Sequence, residues 1–282
     1  MGVMGVRFNT IPLAGTLAFA VTRLKDPWKV LPLFFNRSSK IHIKLVDNGD
    51  IVLRSKGDFW TLRDLMFRGW QITGIDGDLI YLQRDDINIV SATSRLAVLK
   101  EPLDEIYHVF DYENKTVLDV GGYIGYTASL FSRWGAKKII IYEAQRENIP
   151  FIKRNLVMNG VSGEVHNVAV SDEDGHVIIN YERIGSAAFG LGGPKKYKVK
   201  ARGISRILKD NQIDIAKFDC EGCEYSLLSV SRDILRKVPN YVVEYHNGDE
   251  TLKNKFESCG FKVTDICHIR SGLGVFKAEL QQ

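Results

Sequence analysis

Three carboxylates and one imidazole carry the clearest chemical signal in this chain of 282 residues. Asp219 and Glu221 stand two residues apart where one apolar run ends, and Glu244 and His246 stand at the end of another. Two carboxylates at a strand end can divide the work of a group transfer, because one orients the acceptor while the other removes its proton. A histidine with an unperturbed pKa of about 6.5 suits proton abstraction near neutrality. We therefore predict a catalytic site made of these four residues.

Each of these residues also has a structural interpretation. Glu221 and Glu224 can stabilise the first turn of a helix, where carboxylates favour the helix dipole. His246 can be an ordinary structural histidine. Glu244 can orient His246, bind the acceptor or cap a loop.

A glycine-rich turn lies upstream of these residues. Gly121, Gly122 and Gly125 follow a short β-branched run and precede a segment with helical periodicity. Glycines let the backbone turn sharply and let a ligand approach the helix N-terminus. Glu143 ends the next apolar run, where an acid can accept hydrogen bonds from both ribose hydroxyls of a nucleoside. This βαβ unit predicts a nucleoside-binding site.

Two classes of nucleoside ligand compete for such a site. A dinucleotide requires the spacing Gly-x-Gly-x-x-Gly, but the residues two and five after Gly121 are Tyr123 and Tyr126. Asp119 precedes the glycines, and its carboxylate repels phosphate but suits an ammonium group. S-adenosylmethionine has an amino group and a ribose and carries no phosphate. The residues therefore predict S-adenosylmethionine as the cofactor and methyl transfer as the reaction.

Four segments, in this order, resemble the motifs of class I S-adenosylmethionine-dependent methyltransferases and, within that class, of the FkbM family. They are VLDVGGYIGYT (117–127), NVAVSDEDG (167–175), KFDCEGCEY (217–225) and VVEYH (242–246). The resemblance covers roughly residues 110–280 and implies O-methylation of a hydroxyl on a sugar or a polyketide-type small molecule. The family more often has alanine at the position of Gly122, a departure that we expect to be harmless.

The predicted cofactor residues lie in the glycine turn and at the ends of neighbouring strands, where parallel sheets bind ligands. They are Asp119, Gly121, Gly122, Tyr123, Gly125, Tyr126, Glu143, Ala144, Ala169, Val170 and Asp219. Asp219 is assigned to the cofactor and to the acceptor as alternatives. No metal ligand is predicted, because a carboxylate-lined site can bind Mg²⁺ but the spacing here does not require it.

Alternating strands and helices from residue 105 onward predict a doubly wound, Rossmann-like α/β domain. The resemblance implies seven strands with an antiparallel last strand. The predicted strands cover residues 117–120, 138–142, 163–170, 176–181, 198–201, 213–218, 241–245, 262–268 and 274–278. The predicted helices cover residues 126–134, 145–158, 205–210, 224–236 and 250–258. Residues 184–196 are predicted to be a glycine-rich loop, either a mobile substrate lid or a plain surface connection.

Residues 1–104 are predicted to form a separate helical and β-rich region. Its first 37 residues are apolar and helical, and a β-hairpin (41–46 and 51–54), a short helix (60–67) and three strands (71–75, 79–83 and 87–91) follow. We expect this region to cover the mouth of the active site. Its apolar run at residues 11–21 is too short to span a bilayer. We expect a helical extension that packs on the catalytic domain, with a helix on the membrane surface as the alternative.

Composition sets modest limits on location and partners. Four cysteines without a secretory signal predict a reducing cytoplasm. Cys220 and Cys223 form a Cys-x-x-Cys pair without a second pair, so we predict small core residues rather than a zinc or redox site. The net charge of +4 is mildly basic and does not demand an acidic partner.

The acceptor is predicted by elimination and by resemblance. No Asn/Asp-Pro-Pro-aromatic stretch follows the fourth strand, and no basic, aromatic-interleaved patch is present, which argues against a nucleic-acid acceptor. A hydroxyl of a carbohydrate or small molecule is the leading hypothesis. The alternatives are an RNA methyltransferase whose N-terminal region binds RNA, and a catalytically silent scaffold subunit that binds the cofactor.

Overall fold

The structure, a computed structural model, describes residues 4–5, 13–30, 41–45, 49–53, 55–183, 186–189 and 195–281. The chain forms two compact units, one of Phe8–Pro102 and one of Met1–Arg7 with Leu103–Gln282. Strand β1 (Met4–Gly5) therefore belongs to the larger unit. Among the described residues, no helix is long and apolar enough to cross a membrane.

In its described residues, the smaller unit contains a hairpin, a three-stranded antiparallel sheet, two α-helices and two 3-10 helices (Pro27–Val30 and Thr93–Lys100). Its α-helices are α1 (Leu13–Arg23) and α2 (Lys56–Phe67), and its strands are β2 (Ile41–Leu45), β3 (Gly49–Leu53), β4 (Gln71–Asp76), β5 (Leu79–Arg84) and β6 (Ile87–Ala92). The hairpin is confirmed, because β2 pairs with β3 antiparallel and buries alternate residues. Helix α2 begins where the hydroxyl of Ser55 accepts a hydrogen bond from the N–H of Asp58, a standard N-cap.

The larger unit is the α/β domain. Its helices are α3 (Leu103–Tyr107), α4 (Tyr126–Arg133), α5 (Ile149–Met158), α6 (Ile204–Asp210), α7 (Arg232–Leu235) and α8 (Glu250–Ser258). Its further strands are β7 (Thr116–Val120), β8 (Lys138–Tyr142), β9 (Gly163–His166), β10 (Ala169–Ser171), β11 (Gly175–Arg183), β12 (Ser186–Phe189), β13 (Lys195–Gly203), β14 (Ile215–Phe218), β15 (Asn240–Tyr245), β16 (Phe261–Arg270) and β17 (Leu273–Leu280).

Seven strands of the main sheet follow the order β9-β8-β7-β14-β15-β17-β16, and β1 adds a short parallel edge beside β16. Strands β7, β8, β9, β14 and β15 are parallel, whereas the last strand, β17, is antiparallel to both neighbours. The predicted fold class is confirmed. In the sheet, β7 has β8 on one side and β14 on the other, so the strand order reverses at β7. Ligands are expected at the carboxyl ends of the strands at such a switch point.

The predicted third strand (163–170) is two strands in different sheets. Strand β9 lies in the main sheet, whereas β10 pairs in parallel with β13 in a second sheet. Between them, the side-chain amide of Asn167 donates to the carbonyl oxygens of Glu143 (2.9 Å) and Ala144 (3.2 Å). These hydrogen bonds tie the chain to the end of β8, where the third strand leaves the main sheet.

The predicted glycine-rich loop (184–196) contains regular structure. Strand β12 lies within it and pairs with β11 antiparallel, and β13 begins at Lys195. The prediction of an irregular loop is therefore wrong for these residues. Residues 184–185 and 190–194 lie outside the described part of the chain, and the hypothesis of a mobile lid stays a prediction.

Two predicted helices are shorter than expected. A 3-10 helix (Arg146–Asn148) precedes α5, in which a proline occupies the first turn. The predicted helix 224–236 is a 3-10 helix (Cys223–Ser229) followed by α7, with extended backbone at Val230 and Ser231 between them. The hydroxyl of Ser229 donates to the carbonyl oxygen of Ser226 (2.8 Å), a local bond of the kind that competes with helical pairing.

Candidate active site

The turn after β7 has no room for side chains at its first and last glycines. Gly121 has a φ of +86°, and a Cβ atom there would lie 1.8 Å from the carbonyl oxygen of Asp219. Gly125 has a φ of +82°, and a Cβ atom there would lie 3.2 Å from the Cα atom of Ile152. Left-handed backbone and close approach both favour glycine. The predicted glycine turn is confirmed.

A close contact in the structure accounts for glycine at position 122, where the family more often has alanine. A Cβ atom at this position would lie 2.3 Å from the Cγ2 methyl group of Ile141. Ile141 is fully buried in β8. Its methyl group therefore occupies the space that an alanine side chain would need.

Glu143 lies directly after β8 and is buried. Its Oε2 accepts a hydrogen bond from the N–H of Tyr123 (2.8 Å), and its Oε1 accepts one from the N–H of Gln145 (2.7 Å). Tyr123 has a φ of +47°, an uncommon conformation for a residue other than glycine. Burial raises the pKa of Glu143 to about 7, although these two N–H groups act in the opposite direction. The carboxylate is thus fixed beside the glycine turn.

Asp119 pairs with a buried lysine that the sequence analysis did not single out. Its Oδ1 lies 2.9 Å from Lys217 Nζ, and its Oδ2 accepts a hydrogen bond from the hydroxyl of Thr127 (2.6 Å). Both members of the pair are fully buried. Lys217 also donates a hydrogen bond to the carbonyl oxygen of Gly121 (2.9 Å). The buried ion pair is therefore bonded directly to the glycine turn. The predicted contact of Asp119 with an ammonium group of the ligand stays a prediction.

Asp219 and Glu244 meet at one tyrosine hydroxyl. Tyr107 Oη lies 3.0 Å from Asp219 Oδ2 and 3.0 Å from Glu244 Oε2. Tyr107 is fully buried. The two carboxylates come from the ends of β14 and β15, which are neighbours in the sheet. Tyr107 ends α3 and has no position in the motifs, so sequence analysis missed it.

His246 is held by a buried carboxylate on the 3-10 helix. Glu224 Oε1 lies 3.0 Å from His246 Nδ1 and accepts a hydrogen bond from the backbone N–H of the same residue (3.1 Å). His246 Nε2 lies 3.6 Å from Glu221 Oε2 and 3.6 Å from Glu244 Oε1. The four predicted catalytic residues therefore lie together, with Glu224 as an additional member of the cluster.

The electrostatics of His246 differ from those of an isolated histidine. Burial lowers its pKa, but the hydrogen bond and charge of Glu224 and the charges of Glu221 and Asp219 outweigh burial and raise the pKa to about 9. The pKa of His246 therefore lies above the unperturbed value used in the sequence analysis. A pKa in this range favours the imidazolium form at neutral pH, with both ring nitrogens beside carboxylates.

Cys220 and Cys223 form a disulfide, which corrects their interpretation as separate core residues. The bond encloses Glu221, whose φ of +57° is left-handed, and Gly222. The buried Glu224 accepts a hydrogen bond from the N–H of Gly222 through Oε2 (2.8 Å). Disulfide and carboxylate together fix the turn that carries Glu221, whose side chain is 39% exposed. Burial, opposed by His246, raises the pKa of Glu221.

Reduction of this disulfide is expected to lower the free energy of unfolding by about 2 kcal/mol, because the bond closes a short loop in the unfolded chain. Urea unfolding with and without dithiothreitol measures the effect. The double variant Cys220→Ala/Cys223→Ala is the control, since it retains Cys259 and Cys267, which are buried and free. A reductant effect of equal size in the double variant would contradict this assignment, as would four titratable thiols in the unreduced protein.

The same cluster has the donor atoms of a cation site. Asp219, Glu244 and His246 each offer one atom, and these atoms lie within 4.8 Å of one another. Two carboxylates and one imidazole could hold a divalent cation. The sequence alone required no metal.

The remaining predicted cofactor residues differ in their surroundings. Tyr126 is buried in the first turn of α4, and Val170 is part of the hydrophobic core. Ala169 is buried in β10, whereas Tyr123 and Ala144 are half-buried near Glu143 in the chain. Their roles in cofactor binding stay predictions.

A doubly wound sheet with this strand order, a glycine turn after β7 and a fixed acid after β8 define a class I methyltransferase. The Methyltransferase FkbM domain matches residues 119–263, just over half of the chain. The chain belongs to the FkbM methyltransferase family. It is thus an S-adenosylmethionine-dependent methyltransferase. A comparison with curated proteins finds no match.

Comparison with solved structures finds similar chains of low sequence identity. The ribosomal protein L11 methylase from Lactobacillus delbrueckii subsp. bulgaricus is 11% identical, with a TM-score of 0.40 over 64% of this chain and 76% of its own. Precorrin-6y C5,15-methyltransferase from Geobacter metallireducens is 14% identical, with a TM-score of 0.40 over 64% and 85%. TrmK from M. capricolum, in complex with S-adenosylhomocysteine, is 10% identical, with a TM-score of 0.40 over 64% and 68%. These likenesses bear on neither the acceptor nor the site residues.

Proposed function

We propose that the protein is an O-methyltransferase that acts on a hydroxyl of a carbohydrate or small molecule. The observation that carries this proposal is the contact of Asp219 and Glu244 with the hydroxyl of Tyr107, at 3.0 Å each. Two carboxylates that converge on one hydroxyl of the protein have the chemistry to accept the hydroxyl of a substrate. The FkbM resemblance points to the same class of acceptor.

The cofactor pocket suits an adenosyl group that lacks phosphate. The turn at Gly121 leaves no space for a side chain. Glu143 Oε1 accepts hydrogen bonds from the N–H of Gln145 and the side-chain amide of Asn148. Its Oε2 accepts one from the N–H of Tyr123 and has a second lone pair for a ribose hydroxyl. When bound, S-adenosylmethionine supplies an electrophilic methyl group. The buried Lys217 neutralises Asp119 and holds the turn in place.

The acceptor side of the site must position an oxygen and take its proton. Asp219, Glu221 and Glu244 are partly exposed, with side-chain exposures of 28%, 39% and 15%. We assign Asp219 and Glu244 to binding the acceptor hydroxyl, with proton transfer to a carboxylate. The imidazolium of His246 balances their charge and orients Glu221 and Glu244 through Nε2. In this assignment His246 positions the carboxylates and is not the base of the free enzyme at neutral pH.

The proposal is tested by a screen for labelled methyl transfer to carbohydrate and lipid-linked glycan extracts, with identification of the methylated atom. We expect O-methylation by the wild type and its loss in Asp219→Ala and His246→Ala. Full turnover in the Asp219 variant would contradict the assigned cluster. Methylation of RNA with steep salt dependence would favour the RNA alternative, and donor binding without turnover on any acceptor would favour the scaffold alternative.

Donor affinity is expected to rise with pH until about pH 7 and then level off. The ribose contact requires the ionised form of Glu143. In the protein without ligand, the pKa of about 7 means that the Glu143 carboxyl group is mostly protonated at lower pH. Binding below this pKa must release the proton, which weakens affinity by up to about tenfold per pH unit. Calorimetry with S-adenosylhomocysteine between pH 5.5 and about 8.5 measures the slope.

The matched control for this titration is Glu143→Gln. The variant has no titrating group at this position, so its affinity is expected to be independent of pH and about 10- to 100-fold weaker than that of the wild type at high pH. A wild-type affinity that is constant across the range would contradict the role of Glu143.

A further inference from the structure

Tyr107 lies between two pairs of charged residues in the active site, Lys217 with Asp219 and His246 with Glu244. On the cofactor side, Asp219 Oδ2 lies 3.7 Å from Lys217 Nζ, which pairs with Asp119. On the acceptor side, Glu244 Oε1 lies 3.6 Å from His246 Nε2. The hydroxyl of Tyr107 stands between the two carboxylates, 3.0 Å from each.

One hydroxyl has one proton, whereas two carboxylate oxygens lie within hydrogen-bond distance of it. At any moment Tyr107 therefore donates fully to Asp219 or to Glu244, or divides a weaker bond between them. Each carboxylate oxygen has two lone pairs, so the oxygen that does not receive this proton has the capacity to accept a hydrogen bond from an incoming hydroxyl.

We propose that Tyr107 is a positioning residue of methyl transfer, whose hydroxyl donates to one carboxylate of the Asp219–Glu244 pair while the other accepts the hydroxyl of the acceptor. The inference rests on the proposed O-methyltransferase function. In the reaction the acceptor oxygen gains the methyl group as the methyl C–S bond of S-adenosylmethionine breaks and S-adenosylhomocysteine leaves, and the proton of the acceptor hydroxyl passes to the second carboxylate and then to solvent. Tyr107 keeps its own proton throughout.

The ring of Tyr107 is fixed independently of its hydroxyl. The residue is fully buried, and Lys217 Nζ lies 5.7 Å from the ring centroid. The backbone carbonyl of Tyr107 accepts a hydrogen bond from the hydroxyl of Tyr112 (2.5 Å). Phenylalanine would therefore keep the packing and remove the hydroxyl that contacts both carboxylates.

The test compares Tyr107→Phe with Tyr241→Phe. Tyr241 is also fully buried, and its hydroxyl donates to the carbonyl oxygen of Leu235 (2.8 Å), so its removal controls for the loss of a buried hydroxyl. We expect Tyr107→Phe to lower kcat about 10- to 100-fold, the loss expected for a hydrogen bond to a charged group. The Kd of S-adenosylhomocysteine should stay within about twofold of the wild type, because no contact of Glu143 is altered. Tyr241→Phe should leave kcat unchanged.

Rescue by a conservative replacement separates positioning from packing. Incorporation of 3-fluorotyrosine at position 107 keeps both the ring and the hydroxyl, so its kcat should stay within about twofold of the wild type. Incorporation of 4-aminophenylalanine keeps the ring but can donate to both carboxylates at once, so it should lower kcat even where Tyr107→Phe fails to fold.

Two results would overturn the proposal: a Tyr107→Phe enzyme with the kcat of the wild type, or a 3-fluorotyrosine enzyme whose kcat falls as far as that of Tyr107→Phe. All rates are measured on whichever acceptor the wild type methylates. A nitrogen acceptor would refute the proposed O-methylation, whereas the Tyr107 variants would still report on the Asp219–Glu244 pair.

Discussion

Lys217→Met is expected to lower the free energy of unfolding by about 3–5 kcal/mol, because it leaves the carboxylate of Asp119 buried without its cation. Lys217 and Asp119 are both 0% exposed and lie 2.9 Å apart on adjacent strands, in register with each other. The lysine also binds the carbonyl oxygen of Gly121. Urea unfolding of the full chain measures the effect, and donor affinity should fall with it, because the glycine turn loses this support.

The double variant Asp119→Asn/Lys217→Met is the matched control. Replacing both charges removes the uncompensated carboxylate, so the double variant should recover a large part of the stability lost by Lys217→Met. A double variant that is less stable than Lys217→Met would contradict the buried ion pair as the cause.

Asp219→Asn is expected to lower kcat by about 10²- to 10⁴-fold, the range observed when a proton acceptor of an enzyme is removed. Asparagine keeps one side-chain oxygen that can accept from Tyr107, so the fold and the neighbouring turn should persist. Donor affinity should change little if Asp219 serves the acceptor rather than the amino group of the donor. Initial rates together with calorimetry on S-adenosylhomocysteine separate these two roles.

Glu164→Gln provides the control for Asp219→Asn. Glu164 is an exposed acid, 51% accessible, paired with Lys138 on the sheet surface, and such pairs contribute little to stability. Its replacement should leave kcat and donor affinity unchanged. An Asp219→Asn enzyme with the turnover of Glu164→Gln would show that Asp219 has no part in the chemistry.

The strands and the glycine turn could be predicted because their signals are local. A β-branched run that ends at glycines needs a tight turn, and parallel strands bring their carboxyl ends to one edge of the sheet. For this reason Asp219 and Glu244, which are distant in sequence, were expected in one cleft. The structure places both carboxylates within 3.0 Å of the same hydroxyl.

The residues that were missed lack a local signal that identifies their partner. Tyr107 stands 112 residues before its partner Asp219, on a short helix outside every motif. Lys217 had a visible anomaly, since it is a charged residue inside a buried strand and opposite Asp119 in register. Pairing it with Asp119 would have required the strand register as well as the fold class.

The Cys220–Cys223 disulfide illustrates a different limit. Spacing alone allows a zinc ligand pair, a redox pair or two core residues, and the choice depends on how the backbone turns between them. Here the left-handed conformation of Glu221 and the hydrogen bond from Gly222 to Glu224 define that turn. Neither is encoded by a local pattern that could be recognised beforehand.

Every role proposed for the active-site residues depends on which ligand binds beside Gly121 and Glu143. Calorimetry on the 282-residue chain with two ligands, S-adenosylhomocysteine and NADH, tests which of them binds. We predict binding heat with S-adenosylhomocysteine, weakened in Glu143→Gln, and no heat with NADH. Binding of NADH without binding of S-adenosylhomocysteine would contradict the account.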